Sequence, residues 1–173
     1  MYSDGNIYEG EFNNNFERHG KGFICSNIYD NKLINDNNLL FDNNDIKNIF
    51  NLNLRDNIFK GNFIKNKKNG KGLLYMKYKD KFLQNNTIFI GEFKDNKRKG
   101  NGIIYFINDS YFQAYWKNDD NIDENKFGKF YLNDLKVISK KCKIDEWIKI
   151  IKKELLINYG NFQVKIPFVS NIR

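Results

Sequence analysis

The stretch Phe59–Tyr75, FKGNFIKNKKNGKGLLY, decides how this chain is read, because it returns at Phe89–Phe106 as FIGEFKDNKRKGNGIIYF. Superposing Gly61 on Gly91 brings Phe59 onto Phe89, Phe63 onto Phe93, Asn66 onto Asn96, Gly70 onto Gly100 and Gly72 onto Gly102. A self-similar unit at fixed spacing sets the architecture before any single residue is interpreted. Each copy has the pattern of a β-hairpin. Strand side chains alternate, so Phe59, Gly61 and Phe63 share one face and Lys60 and Asn62 the other. The polar run Lys65 to Asn69 predicts the turn, and Gly70 and Gly72 open the return strand. Glycine weakens a strand, so its recurrence asks for a reason. Bare backbone at Gly61, Gly70 and Gly72 lets an aromatic ring from the neighbouring hairpin lie flat on it. One hairpin cannot bury such a face alone; a stack of them can.

Residues before and after this pair extend the series. Tyr8-Glu9-Gly10-Glu11-Phe12 followed by His19-Gly20-Lys21-Gly22 repeats the same offsets. A decayed copy spans Phe112 to Phe130, with Ala114 for the first glycine, Trp116 for the second aromatic, Gly128 for a later glycine and Phe130 in place of the last one. Together these residues resemble the MORN repeat, whose pattern is Y-x-G-x-[FW]-x-N-G-x-x-x-G-x-G at a period of about 23 residues. Phe59 and Phe89 stand in the tyrosine place, and lysine stands where the turn glycine would be. The resemblance covers roughly residues 4–131. It implies an elongated, single-layer antiparallel sheet of stacked hairpins, with units at about 4–25, 57–75, 87–106 and 109–131. The structural positions it assigns are Tyr8, Gly10, Phe12, Gly20, Gly22, Phe59, Gly61, Phe63, Gly70, Gly72, Phe89, Gly91, Phe93, Gly100, Gly102 and Trp116.

The totals agree with a packed domain. In 173 residues, 40% are hydrophobic and 16% aromatic, with 16 Phe and 10 Tyr, a load that suits an aromatic core and argues against disorder. The formal net charge is +8, which favours anionic partners such as lipid headgroups, nucleic acid or acidic proteins. Cys25 and Cys142 are too few for a thiolate zinc site and suggest no disulfide framework, so a reduced, cytoplasmic setting is expected. The N-terminus carries no signal-peptide pattern, and no apolar run reaches the roughly 20 residues of a membrane span.

Along the chain, residues 1–142 read as the repeat array and 143–173 as a helix-and-strand cap. Asp4-Gly5 has the form of the linker between repeats, so the array is expected to continue upstream. Asn13 to Arg18 is one residue longer than the family turn, and a bulge is expected there. Residues 26–56 form an asparagine-rich insertion, read first as a low-complexity loop. Its Leu39, Leu40, Phe41, Ile46, Ile49 and Phe50 offer a patch that docks on the array. Residues 76–88 are a smaller insertion. Leu135, Val137 and Ile138 predict a further strand. Ile144, Trp147, Ile148, Ile151 and Leu155 then recur at helical spacing, predicting a helix over about 145–157 with Asp145 and Glu146 at its N-terminal end. Its expected role is to cover the open end of the sheet and shield an edge. Phe162, Val164 and Ile166 alternate as a last strand before Pro167.

No catalytic constellation is visible. The single histidine, His19, occupies the histidine place of the repeat turn and is read as structural. The Gly-x-Gly pairs precede no helix pattern and are repeat glycines, not phosphate loops. Asp119, Asn121 and Asp123 have calcium-ligand spacing, but Glu124 and Phe130 replace the required glycine and acid, so no metal and no cofactor is expected. The basic turns carry the functional expectation: Lys65, Lys67, Lys68 and Lys71 in one unit, Lys94, Lys97, Arg98 and Lys99 in the next. Hairpins stacked in register would set these along one edge as a site for an anionic partner, while the acidic fourth turn would stand apart. The resemblance implies a non-catalytic scaffold or interaction module at the cytoskeleton or a membrane, with other proteins or a second copy as partners. The alternatives are acidic-phospholipid or phosphoinositide binding, and the accessory segment of a lipid kinase or SET methyltransferase. Nucleic-acid binding is disfavoured, because no recognition element accompanies the charge.

Overall fold

The computed structural model describes residues 6–26, 46, 49, 57–77, 86–106, 108–132 and 136–159, with side chains of the last helix up to residue 155. Three like hairpins come first: β1 (Asn6–Phe12) with β2 (Arg18–Ser26), β3 (Ile58–Ile64) with β4 (Lys67–Met76), and β5 (Thr87–Lys94) with β6 (Lys97–Phe106). β7 (Tyr111–Asn118) pairs with the short β8 (Asn121–Ile122) and with β9 (Gly128–Leu132). β10 (Lys136–Lys140) and helix α1 (Ile144–Tyr159) follow. The strands form one antiparallel 10-stranded sheet in chain order, with β8 set beside β7 off the main path. The expected stacked-hairpin sheet is therefore the fold. Asp4-Gly5, Leu39 to Phe41, Phe50, Leu135 and the strand Phe162 to Ile166 with Pro167 lie outside the described residues.

Glycines face glycines across the first three hairpins: Gly10 opposite Gly22, Gly61 opposite Gly72, Gly91 opposite Gly102. A Cβ on Gly61 would come within 2.6 Å of the Phe59 ring and 2.7 Å of Gly72 Cα, and one on Gly91 would meet Phe89 and Gly102 equally closely. The ring over the glycine pair thus belongs to the same hairpin, not to the neighbour as the sequence suggested. The neighbour's ring instead packs edge-on. Phe12, Tyr8, Phe63, Phe59, Phe93, Phe89 and Trp116 touch in series, each pair with centroids 5.1–5.5 Å apart and planes near perpendicular. That edge-to-face geometry suits the ring quadrupoles. The series continues through Phe112 to Trp147 of α1, at 6.4 and 4.8 Å.

Gly70 serves another purpose. A Cβ there would meet nothing closer than 3.3 Å, but its φ is +77°, as φ is +82° at Gly100. Backbone in the left-handed region, rather than ring approach, fixes these glycines. They sit where the register slips between Gly61 and Phe63 and between Gly91 and Phe93. The turns are also shorter than the polar run suggested. β4 starts at Lys67, leaving Lys65-Asn66 as a two-residue turn with φ of 48° and 66°, and Asp95-Asn96 repeats it at 50° and 71°. Positive φ at both positions is the requirement of the hairpin turn whose twist matches the strands. The first hairpin is longer, as expected. Its extra residue lies in the loop Asn13 to Glu17, where Asn13 Oδ1 accepts from the Asn15 and Glu17 N–H groups at 3.0 Å. The register slip beside it is common to all three hairpins.

In the fourth unit, continuing the β7–β9 register (Gln113 opposite Lys129) by one residue sets Ala114 against Gly128. Gly128 therefore holds the last-glycine place, and Phe130, opposite Phe112, holds a core place one pair further on. A Cβ on Gly128 would strike the Trp147 indole at 2.7 Å. Helix α1 lies on the aromatic face through buried Ile144, Trp147, Ile151 and Leu155. The predicted helical face is the one buried. Among the described residues α1 covers the aromatic face, and β10, the last strand in the sheet order, bears the exposed Lys136 and Lys140. Those two lysines pair with Glu154 (2.7 Å) and Glu146 of the helix. On β10 itself Ile138 packs inward, while Val137 is exposed.

The opposite face also has a core, which the sequence reading assigned only to polar residues. Phe23, Cys25, Ile58, Leu73, Tyr75 and Ile88 are buried there with the helical residues Ile46 and Ile49. Part of the insertion thus docks on the sheet. Met76, Thr87 and Ile88, read as the first and the last two residues of the smaller insertion, are paired strand residues.

Candidate interaction surface

Strand parity separates the basic residues of the turns. Phe59, Phe63, Phe89 and Phe93 mark the aromatic face. Lys68 stands opposite Phe63 and Arg98 opposite Phe93, so both point inward, and Arg18 holds the same place in the first hairpin, opposite Phe12. Each clasps the next hairpin. Arg18 N–H donates to Asn66 Oδ1 at 2.9 Å, Lys68 N–H to Asn96 Oδ1 at 2.8 Å and Arg98 N–H to Asp119 Oδ1 at 2.9 Å. In return, Asn66 N–H donates to Arg18 O at 3.0 Å and Asn96 N–H to Lys68 O at 3.1 Å.

The side chains lie over rings. The Arg18 guanidinium is 5.8 Å from the Tyr8 centroid and 5.6 Å from Phe63. Lys68 Nζ is 4.9 Å from Phe59, and Arg98 is 4.4 Å from Trp116 and 5.4 Å from Phe89. Arg98 also donates through Nη2 to Asp119 O at 2.8 Å and through Nε to Oδ1 at 3.3 Å. Burial holds the Lys68 pKa below the usual lysine value; Asp119 opposes this and nearby Arg18 adds to it. Lys68 and Arg98 are therefore structural, and the expected single stripe of eight cations does not form.

The remaining cations point elsewhere. Lys67 approaches Asp95 at 3.6 Å, both exposed, and Lys71 stands opposite Glu92. Lys65 is an exposed turn residue. Lys94 and Lys97 face each other across their turn. Continuing the β6–β7 register from Gly100 opposite Trp116 sets Lys99 against Lys117. These four project to the face away from the aromatic series. With Asp95 and Arg98 they line a concavity of about 380 Å³. Lys117 belongs to the fourth unit, which the sequence reading set apart as acidic. Two of that unit's carboxylates are engaged locally: Asp119 holds Arg98, and Asp123 faces Lys117 at 3.8 Å and accepts from Asn125 N–H at 3.2 Å. Lys117 was missed because only net turn charge was weighed. Its position three residues after Ala114 and one after Trp116 was the available signal.

A sheet built by stacking one hairpin on the next, with its polar turns along one edge, defines a repeat protein of the interaction-module class. Residues 8–26, 59–76 and 89–111 match the MORN repeat family model, so the chain carries MORN repeats in these three segments. The fourth unit lies outside the matched segments beyond Tyr111, in keeping with its Ala114 and displaced glycine. No curated protein matches the chain. Among the described residues no helix is long and apolar enough to cross a membrane.

Proposed function

We propose that the chain is a non-catalytic scaffold module that holds an acidic protein partner against its turn edge and the adjoining outward face, in assemblies at the cytoskeleton or a membrane. The observation that carries this reading is the division of the cations. Arg18, Lys68 and Arg98 are consumed by the hairpin junctions, whereas Lys94, Lys97 and Lys99 form no ion pair among the described residues. His19 is an exposed strand residue beside the first turn, which supports a structural role for it. Affinity capture from the native cell tests the proposal, comparing wild type with Lys65, Lys67, Lys94 and Lys97 all changed to Glu. A partner held by wild type, released in high salt and lost from the variant supports it; identical recoveries overturn it.

A second reading, attachment to an anionic membrane, is favoured by apolar side chains near the same edge. Phe16 is 88%, Phe127 59% and Ile64 49% exposed. Each basic residue near such a surface adds about 1 kcal/mol. That attraction fades with salt as the Debye length falls from about 10 Å at 0.1 M to about 3 Å at 1 M. Absence of wild-type co-sedimentation with phosphatidylserine vesicles, or equal co-sedimentation of wild type and the charge-reversed variant at low salt, would reject it.

A further inference from the structure

We propose that Tyr105, Tyr111, Tyr131 and Val137 form a seat on the outward face for an amphipathic helix of the acidic protein partner; this rests on the scaffold reading and names the segment of the partner that is held. The observation is a line of side chains that crosses the strands. Cys25, Ile58, Tyr75 and Ile88 stand opposite one another in turn through β2, β3, β4 and β5. The line then runs from Ile88 to Tyr105, Tyr111, Tyr131 and Val137. Residues directly opposite across strands share a face. Each strand from β2 to β10 on the main path of the sheet therefore gives one residue to this line, and all are apolar or aromatic. The two halves differ in their cover. Over the first half lie the buried helical residues Ile46 and Ile49, about one turn apart. Tyr105 still packs against that core. Beyond it Tyr111 and Tyr131 are half-buried and Val137 is 52% exposed. Helix α1 lies on the opposite face.

Spacing decides what fits the second half. A helix advances about 5.4 Å per turn, close to the separation of about 4.8 Å between strands. A helix laid along the line sets roughly one turn on each strand. An extended peptide repeats its facing side chains about every 6.8 Å and falls out of step. The four places span three strand intervals, about 14 Å, or roughly two to three helical turns. The surface is braced for contact. Tyr111 and Tyr131 stack with centroids 4.3 Å apart and planes at 15°, and Tyr105 leans on Tyr111 at 5.7 Å. Rings held by one another have little side-chain freedom left to lose on binding. The flank towards the turns gives the helix an orientation. Gln113, Lys129 and Ser139 form the next line, and the exposed Lys117 follows on the same face. A helix with apolar residues at i, i+3, i+4 and i+7, and carboxylates along the side nearer Lys129 and Lys117, complements both lines.

Selection of a phage-displayed library of single-helix peptides against the full chain, followed by fluorescence-anisotropy titration of the recovered peptides, tests the proposal. The variants are Tyr131→Thr/Val137→Thr, Lys129→Glu and, as a control away from the line, Lys65→Ala/Lys71→Ala, each checked for an unchanged melting temperature. Val137→Asp, at an exposed place on the last strand, stands in if the loss of Tyr131 unsettles the fold. The recovered peptides are expected to carry apolar residues at helical spacing with Asp or Glu on one flank. Their binding should weaken roughly tenfold or more in Tyr131→Thr/Val137→Thr, by less in Lys129→Glu and little in the control. No enriched peptide, peptides without that spacing, or equal binding by wild type and the line variants overturns the seat. So does a free chain that sediments as a dimer separated by Val137→Asp, because a second copy then holds the line. Shielding of Tyr131 from hydroxyl-radical labelling in the free monomer also overturns it, because the chain then covers itself. If a native acidic partner is captured equally by wild type and Tyr131→Thr/Val137→Thr, yet lost on charge reversal of Lys65, Lys67, Lys94 and Lys97, the scaffold reading stands and only this seat falls.

Discussion

Lys97, Arg98 and Lys99 are consecutive, basic and in one strand, yet they belong to two different regions. Arg98 is 6% exposed, lies over Trp116 and grips the next turn. Its neighbours on either side are exposed and line the outward concavity. The difference is strand parity alone. On the aromatic face a cation is part of the junction between hairpins. On the other face it is left for something else to bind. Counting charge per turn hides this, because the count treats the three residues alike.

The largest expected effect lies where the aromatic face ends. Trp147 is fully buried against Phe112 and over Gly128. Trp147→Ala removes the ring that closes the series, and a loss of about 3–5 kcal/mol is expected. Denaturant unfolding measures it, and a loss below about 1 kcal/mol would mean that α1 is dispensable to the face. Next comes Gly91→Val. Its side chain would collide with Phe89 and with the Gly102 backbone, neither of which can move far, so about 3 kcal/mol is expected from overpacking. Gly70→Ala should cost less, about 1–2 kcal/mol, because it adds left-handed strain without a ring clash. Equal melting temperatures for Gly91→Val and Gly70→Ala would erase the distinction between the two glycine roles.

The smallest effect concerns the tie between β10 and the helix. Lys140 lowers the Glu146 pKa by hydrogen bonding and charge. A carboxyl whose folded pKa is depressed contributes stability above its unfolded pKa and loses it as pH falls through the folded value. Stability should therefore drop slightly as pH falls below the ordinary glutamate range, and Glu146→Gln should flatten that part of the curve. An unchanged curve would show that the pair contributes nothing to the outer edge.

Much of this comparison was legible in the sequence, for a physical reason. Phe59, Gly61 and Phe63 announce the buried face because period-two alternation and glycine recurrence point the same way. Ile144, Trp147, Ile151 and Leu155 announce the helix in the same manner. The turns were misjudged because Lys65 to Asn69 is uniformly polar, and only Asn66 and Asn96 hint at positive φ; with no glycine there, the short turn is masked. The second core escaped because Ile58, Leu73, Tyr75 and Ile88 flank the repeat's glycines and aromatics; Ile58 meets Tyr75 across its own hairpin, and Ile88 joins them only when hairpins stack. Lys94, Lys97 and Lys99 were legible as candidates, but the place of Lys117 beside them was not, since Lys99 and Lys117 become neighbours only through the β6–β7 register.

Three single variants made side by side test the central claim most directly: Lys97→Met, Arg98→Met and Lys99→Met, compared by thermal unfolding. Arg98→Met loses hydrogen bonds to a charged group and the contact with two rings. Asp119 keeps its bond from the backbone N–H of residue 98 and is half exposed, so the lone pairs freed can be solvated, and the expected cost is about 2–3 kcal/mol. For a chain of this size that lowers the melting temperature by roughly 4–12 °C. Lys97→Met and Lys99→Met should leave it nearly unchanged or raise it slightly, by removing repulsion. Similar shifts at all three positions would contradict the division of the sheet into a clasped face and a binding face.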